Sequence, residues 1–245
     1  MRRVLAIGGG GFSMEATPSP IDDYLLSLAP SGTPRICFLA TASGDLPEHL
    51  EKFYLSYPYG RCTPSHVAFF RPLSSSDVPP QKCAEHVLNQ DVILAGPGNT
   101  RAALAVWRNW GLDVALRQAH AKGIVLAGVS AGAMCWFDAA LTDTYWEPGF
   151  VPLHGLGILT GACGVHHDSD EKRGQRLVAA VEARAVETAL AIDDRAAVEF
   201  ENGRLARVLA WGPNASATAV QRVGERAVET RLKAIDLLAG DRDFR

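Results

Sequence analysis

Short apolar runs alternate with longer amphipathic stretches through the first half of the chain. Residues 4–7, 35–39, 66–70, 91–95 and 123–127 are mainly apolar, and several of these runs close on glycine. Runs this short and this apolar predict strands buried on both faces. Between them, the apolar spacing predicts helices over 21–28, 47–55, 81–88, 100–110 and 114–121. Strand–helix alternation of this kind predicts an α/β fold of three layers, a mostly parallel sheet flanked by helices. Further along, the pattern predicts a helix from 131 to about 140, a loop, a helix over 172–187, and a β-rich part from 189 to about 232. Glu201-Asn202-Gly203-Arg204 between two alternating segments is a hairpin signal. Neither repeat nor linker interrupts the pattern, so one domain over residues 1–245 is expected.

Composition narrows the classes without naming one. A 245-residue domain buries roughly 70–75% of its unfolded surface, enough to stay folded without metal or disulfide. Hydrophobic residues at 47% and charged residues at 21% argue against disorder. With 24 Lys and Arg against 27 Asp and Glu, the net charge is −3, and no basic run offers an electrostatic footprint for nucleic acid. The five cysteines are odd in number and form no CxxC pair, which suits a reducing cytoplasm better than a disulfide scaffold. Arg2 and Arg3 are followed by only four apolar residues before the glycines, too few for a signal peptide's apolar core. No stretch approaches the ~18 apolar residues that cross a bilayer. A cytoplasmic protein with no nucleic-acid or membrane partner is expected; monomer and homodimer both stay open.

Ligands of parallel sheets gather where strands end at their carboxyl side, and there the sharpest motif lies. Gly128-Val129-Ser130-Ala131-Gly132 follows the 123–127 run and opens the next helix. A serine on a sharp strand-to-helix turn has its hydroxyl lifted into the cleft, and neighbours two before and two after crowd it so closely that glycine is required. The helix that follows aims its first amides at the site, ready for an oxyanion. The bland reading is a serine N-cap in a glycine-rich turn.

A nucleophilic serine needs a base and an acid to orient it. Among the seven histidines, His166 and His167 sit in Gly161-Ala-Cys-Gly-Val-His166-His167-Asp168, a segment placed to return a base to the cleft. His-His-Asp also reads as metal ligands, but adjacent side chains diverge and no distant third ligand is evident; no metal and no cofactor are expected. For the acid, Asp143 lies just past the predicted nucleophile helix, with Glu147 as runner-up. The resulting order, Ser130, Asp143, His166, is too compressed for an α/β-hydrolase, whose acid and histidine follow the elbow at a distance.

Four segments together resemble the peptidase E (aspartyl dipeptidase) family of serine peptidases, whose fold is like that of class I glutamine amidotransferases. They are Gly8-Gly9-Gly10-Gly11-Phe12-Ser13-Met14, Gly96-Pro97-Gly98-Asn99-Thr100, the stretch from Gly128 to Asp143, and Gly161 to Asp168 followed by Arg173; the Asp193-Asp194 region is similar too. The resemblance implies Ser130 as nucleophile, His166 rather than His167 as base, Asp143 as acid, and the amides of Gly98 and Ala131 as oxyanion hole. It further implies small peptides with an N-terminal aspartate as substrates, with Arg173 (Arg176 as substitute) holding the aspartyl carboxylate and Asn99 near the substrate's N-terminus. Val165 and His167 stand where the family commonly has proline and tyrosine, and Gly-Pro-Gly replaces a glycine triplet.

Three rivals remain. A cyanophycinase-like hydrolase of acidic polymers would share the triad, an α/β-hydrolase carboxylesterase would not share its spacing, and a non-catalytic binding protein would use the scaffold alone. The glycines at 8–11 lack a following Gly-Lys-Ser/Thr, so a nucleotide cradle there is a weak reading.

Overall fold

The computed structural model describes residues 1–15, 19–30, 32–71, 74, 77–142, 152–169 and 171–239. Strand β1 (Arg3–Ile7) leads through a glycine turn to α1 (Pro20–Ser27), followed by β2 (Arg35–Leu39), α2 (Pro47–Ser56), β3 (Thr63–His66) and α3 (Cys83–Val87). Next come β4 (Val92–Ala95), α4 (Thr100–Asn109), α5 (Leu112–Ala121), β5 (Val125–Val129) and the short α6 (Ala131–Met134). The second half holds β6 (Phe137–Ala140), β7 (Leu153–His154), β8 (Leu159–Val165), α7 (Glu171–Glu182) and β9 (Thr188–Ile192). It closes with β10 (Ala196–Glu201), β11 (Arg204–Ala210), β12 (Ala217–Val223), β13 (Arg226–Arg231) and β14 (Ala234–Asp236).

Two sheets result. The larger runs β14-β11-β10-β1-β5-β4-β2-β3, and its β1-β5-β4-β2-β3 part is parallel throughout. The smaller runs β13-β12-β9-β8-β6-β7, with β6, β8 and β9 parallel. This is the expected mixed α/β architecture with a β-rich C-terminal part.

Strand side chains alternate between faces, and here each face has its own core. Leu5, Ile7, Ile36, Phe38, Val92 and Leu94 pack with Leu25 of α1 and Phe53 of α2. The alternate residues Val4, Ala6, Cys37, Leu39, Ile93 and Ala95 pack with Leu104 and Trp107 of α4 and Leu116 of α5. The inner strands of the smaller sheet join that second core through Phe137, Cys163, Val165 and Ile192, while its other face packs on α7 through Leu177, Ala180 and Val181. Both faces of the parallel strands are dry, which is why they read as unbroken apolar runs.

Three boundaries differ from the sequence pattern. The helix expected from 131 to about 140 ends at Met134, and Phe137–Ala140 pairs with β8 instead. Phe137 and Ala139 are buried and Asp138 exposed, a period of two that the helical reading overlooked. The strand expected at 66–70 lies earlier, where Thr63–His66 pairs with β2 and carries Pro64 at the sheet edge, a position that tolerates proline. The helix expected to reach 187 ends at Glu182, and Arg184 takes a left-handed φ of 58° just beyond it. The hairpin turn forms as the sequence predicts, with Asn202 and Gly203 both at positive φ. Among the described residues no helix is long and apolar enough to cross a membrane.

Candidate active site

Ser130 follows β5 directly and has φ 55° and ψ −116°, a conformation that costs a non-glycine residue roughly 1–3 kcal/mol. Main-chain contacts hold it there. Its N–H donates to the Ile7 carbonyl at 2.9 Å, and its own carbonyl accepts from Ala133 and Met134 as α6 begins. A Cβ at Gly128 would run into the Gly132 carbonyl, and one at Gly132 into the Ala95 carbonyl. The two glycines are thus required by backbone-to-backbone approach, as the elbow reading supposes.

His166 is the first residue past β8, and Asp194 the second past β9. These strands are parallel neighbours with Val165 opposite Ile192, so residues 36 and 64 positions after the serine leave the sheet side by side at one end. His166 also has a left-handed φ, 53°, and its carbonyl accepts from both the N–H and the Oγ of Ser169. Ser130 Oγ lies 2.8 Å from His166 Nε2, and His166 Nδ1 lies 2.5 Å from Asp194 Oδ1. Because an ionised carboxylate only accepts, Nδ1 carries the hydrogen, and the Nε2 lone pair faces the serine hydroxyl. Asp194 is fixed in turn, its N–H donating to Asp168 Oδ1 at 2.8 Å.

The acid on Nδ1 is therefore a residue that the spacing argument did not choose. Asp143 and Glu147 lie outside the described residues, and among the described residues the carboxylate at Nδ1 is that of Asp194. A signal was present: Asp193-Asp194 follows an apolar run just as His166 does. Asp193 turns inward, its Oδ2 accepting from the Ser216 N–H at 3.0 Å and from Arg231 at 2.8 Å. The His167 ring lies against Gly174 of α7. Among the described residues no group of three His, Cys, Asp or Glu side chains is gathered for a metal ion.

The other expected residues divide. Strands β4 and β5 pair with Ala95 opposite Gly128, so Gly98 and Ala131 emerge at the same sheet end. Gly98 has φ 136° and presses on Ala42, where a Cβ would overlap the Ala42 carbonyl. Neither its amide nor that of Ala131 donates to a backbone carbonyl among the described residues. Asn99 caps α4, its Oδ1 accepting from the Ala102 N–H at 2.8 Å, which takes one of that oxygen's two lone pairs. Arg173 and Arg176 line a narrow cleft with His167 and Val165 at the end of β8; Arg173 is half-buried and Arg176 exposed. Cys135 and Cys163 are fully buried, and burial pushes both thiols well above their ordinary range, so neither is a competing nucleophile.

A serine hydroxyl on a strained strand-to-helix turn, facing the free nitrogen of a carboxylate-anchored imidazole, is the arrangement of a serine hydrolase. The model of peptidase family S51 matches residues 4–208, and the chain belongs to that family of serine-type peptidases. It is 38% identical over 232 residues to the uncharacterized peptidase YgaJ of Bacillus subtilis (strain 168), covering 95% of this chain and 97% of that one. The crystal structure of a peptidase from an acI-B1 Actinobacterium superposes with a TM-score of 0.69 at 16% identity, covering 95% of this chain and 94% of the other, a likeness of fold.

Proposed function

We propose that the chain is an exopeptidase that hydrolyses dipeptides and short peptides after an N-terminal aspartate, using Ser130, His166 and Asp194. The observation that carries the mechanism is the relay of 2.8 Å and 2.5 Å from serine through histidine to aspartate. Ser130 Oγ adds to the carbonyl carbon of the first peptide bond while its proton passes to His166 Nε2. Negative charge develops on the carbonyl oxygen, where the Gly98 and Ala131 amides receive it; one such donor is worth roughly 10²–10³ in rate. Collapse breaks the C–N bond, and the Nε2 proton goes to the departing amine. Water then gives a proton to Nε2 as its oxygen adds to the acyl carbon, and Ser130 recovers its hydrogen as the aspartate leaves. Asp194 keeps the Nδ1 hydrogen in place and offsets the imidazolium charge in both halves.

Arg173 is assigned to the aspartyl carboxylate. A guanidinium offers a bidentate, charge-assisted partner, and a half-buried one is screened less than an exposed one such as Arg176. The test is hydrolysis of Asp-Leu against Leu-Leu. Wild type should prefer Asp-Leu, and Ser130→Ala should lose turnover by about 10⁴-fold or more. Arg173→Ala should lose about 10- to 100-fold of the Asp preference, the worth of one charge-assisted bond. Unchanged turnover in Ser130→Ala would refute the mechanism, and an intact preference in Arg173→Ala the pocket. Faster cleavage of β-Asp-Arg than of any α-Asp peptide would move the substrate to the cyanophycinase-like class.

A further inference from the structure

We propose that Gly9 is a positioning residue for the reaction: the side chain it lacks is what gives the Asp194 carboxylate room to meet His166 Nδ1. The inference rests on the assignment of Asp194 made above.

The glycine run at 8–11 is not spent on an anion. The Gly8 N–H donates to the Ala196 carbonyl at 2.9 Å, the Gly10 N–H is directed at Met14 Sδ at 3.1 Å, and the Gly11 N–H donates to Glu15 Oε2 at 3.1 Å. These amides serve the chain itself, and one of them already faces a carboxylate.

Among the glycines around the site, Gly9 stands apart in what a side chain there would strike. At Gly8, Gly98, Gly128 and Gly132 a Cβ would meet main-chain atoms first, so those glycines are required by the fold. At Gly9 the nearest three atoms are all side-chain atoms of the relay: Asp194 Oδ1, which a Cβ would overlap, and His166 Cε1 and Nδ1 at 2.8 and 2.9 Å. Backbone conformation is not the reason either. Gly10 and Gly11 have φ of 104° and 60°, whereas Gly9 is not in the left-handed region, so a positive φ is not what requires glycine there.

The main chain at position 9 has little room to withdraw. Gly8 is hydrogen-bonded to Ala196, and the Gly9 carbonyl accepts from the Arg195 N–H at 2.9 Å. Gly10 lies against the Trp211 ring, where a Cβ would sit 2.9 Å from Cζ2. The opposite wall is held by the Asp168 bond to the Asp194 N–H and by Ser169 on the His166 carbonyl. An added methyl therefore displaces the carboxylate or the imidazole and leaves the rest of the fold in place. Shifts of about 1 Å in such groups cost on the order of 10²-fold in rate.

The experiment is a double-variant cycle on the full chain with Gly9→Ala, Asp194→Ala and the pair, reading kcat, KM and Tm. Gly9→Ala is expected to lower kcat by about 10²-fold or more with KM nearly unchanged. The double variant should be far less impaired than the product of the two single losses, since both changes act on the same contact. If Gly9→Ala is itself unstable, the double variant should recover part of the lost Tm, because the deepest overlap is with Asp194 Oδ1. Multiplying kcat losses, a KM in Gly9→Ala that rises as steeply as kcat falls, or a low Tm of which the double variant recovers nothing would each overturn the proposal. An impaired Asp194→Ala beside a wild-type Gly9→Ala sinks the proposal alone, whereas wild-type turnover in Asp194→Ala sinks the assignment of Asp194 and the proposal with it.

Discussion

The two sides of the active site are built by different means. On the Ser130 side the closest approaches are main chain against main chain: Gly128 on Gly132, Gly132 on Ala95, Gly98 on Ala42. On the His166 side the contacts that set the relay are made by side chains: Oγ to Nε2, Nδ1 to Asp194, Asp168 to the Asp194 N–H. Backbone crowding admits one residue type and leaves a fixed spacing in the sequence. Side-chain meetings across 28 or 36 residues leave none, because many placements of a histidine and an acid satisfy the same chemistry.

The contrast predicts how each side fails. The largest effect should come from Gly128→Val, where the added atoms meet the Gly132 carbonyl. Denaturant titration should show a loss exceeding about 4 kcal/mol, beyond the usual range for one substitution, and a fold that holds at wild-type stability would end the contrast. Asp194→Asn should do the reverse, keeping Tm within about 4 °C, or roughly 1 kcal/mol, while kcat falls by about 10⁴-fold as the imidazole loses its tautomer and partner. A smaller loss is expected from Asp168→Ala, which releases the Asp194 amide without touching the relay. A fall of about tenfold in kcat with Tm unchanged would fit, being less than the ~10²-fold of a full 1 Å misplacement; a larger fall than in Asp194→Asn would show that the loop and not the carboxylate governs the histidine.

The smallest effect should appear in stability alone, on the first side of the sheet. Asp22 is buried and accepts from the Tyr57 hydroxyl at 2.7 Å and from the Phe12 N–H at 3.3 Å. Burial outweighs these bonds and raises its pKa from 3.8 to about 6. A carboxyl whose folded pKa lies above its unfolded one favours folding when protonated, so its contribution is complete below about pH 4 and lost as the pH rises through about 6. Asn at position 22 keeps an acceptor for Tyr57 and Phe12 but sets a donor against the Ser19 N–H, which Asp22 Oδ2 now accepts at 3.4 Å. Asp22→Asn should therefore gain about 1–2 kcal/mol at pH 8, part of the roughly 3 kcal/mol that the shift represents. Denaturation at pH 4 and pH 8 checks it: the difference between the two pH values should shrink in the variant, with kcat unchanged.

Much of this organisation was legible in the chain. The parallel core, with β2 and α4 near their expected places, follows from apolar runs and helical spacing, since burial on both faces leaves few polar residues to blur the pattern. The 137–140 strand was hidden because Phe137, Ala139 and Ala140 suit either element, and only pairing with β8 decides between them. Asp194 was hidden for a related reason. Its neighbour Asp193 has the same type and opposite orientation, and sequence spacing does not say which of two adjacent carboxylates leaves the strand end facing His166.

The sequence by itself determined the elbow, because a strained serine between two glycines is a local requirement that local residues must meet. It also determined that the strands before that elbow are buried on both faces. Which carboxylate meets His166 Nδ1, and which side chains Gly9 faces, follow from tertiary packing alone. Both are settled where β8 and β9 end together against the turn after β1, and that meeting depends on the packing of two sheets.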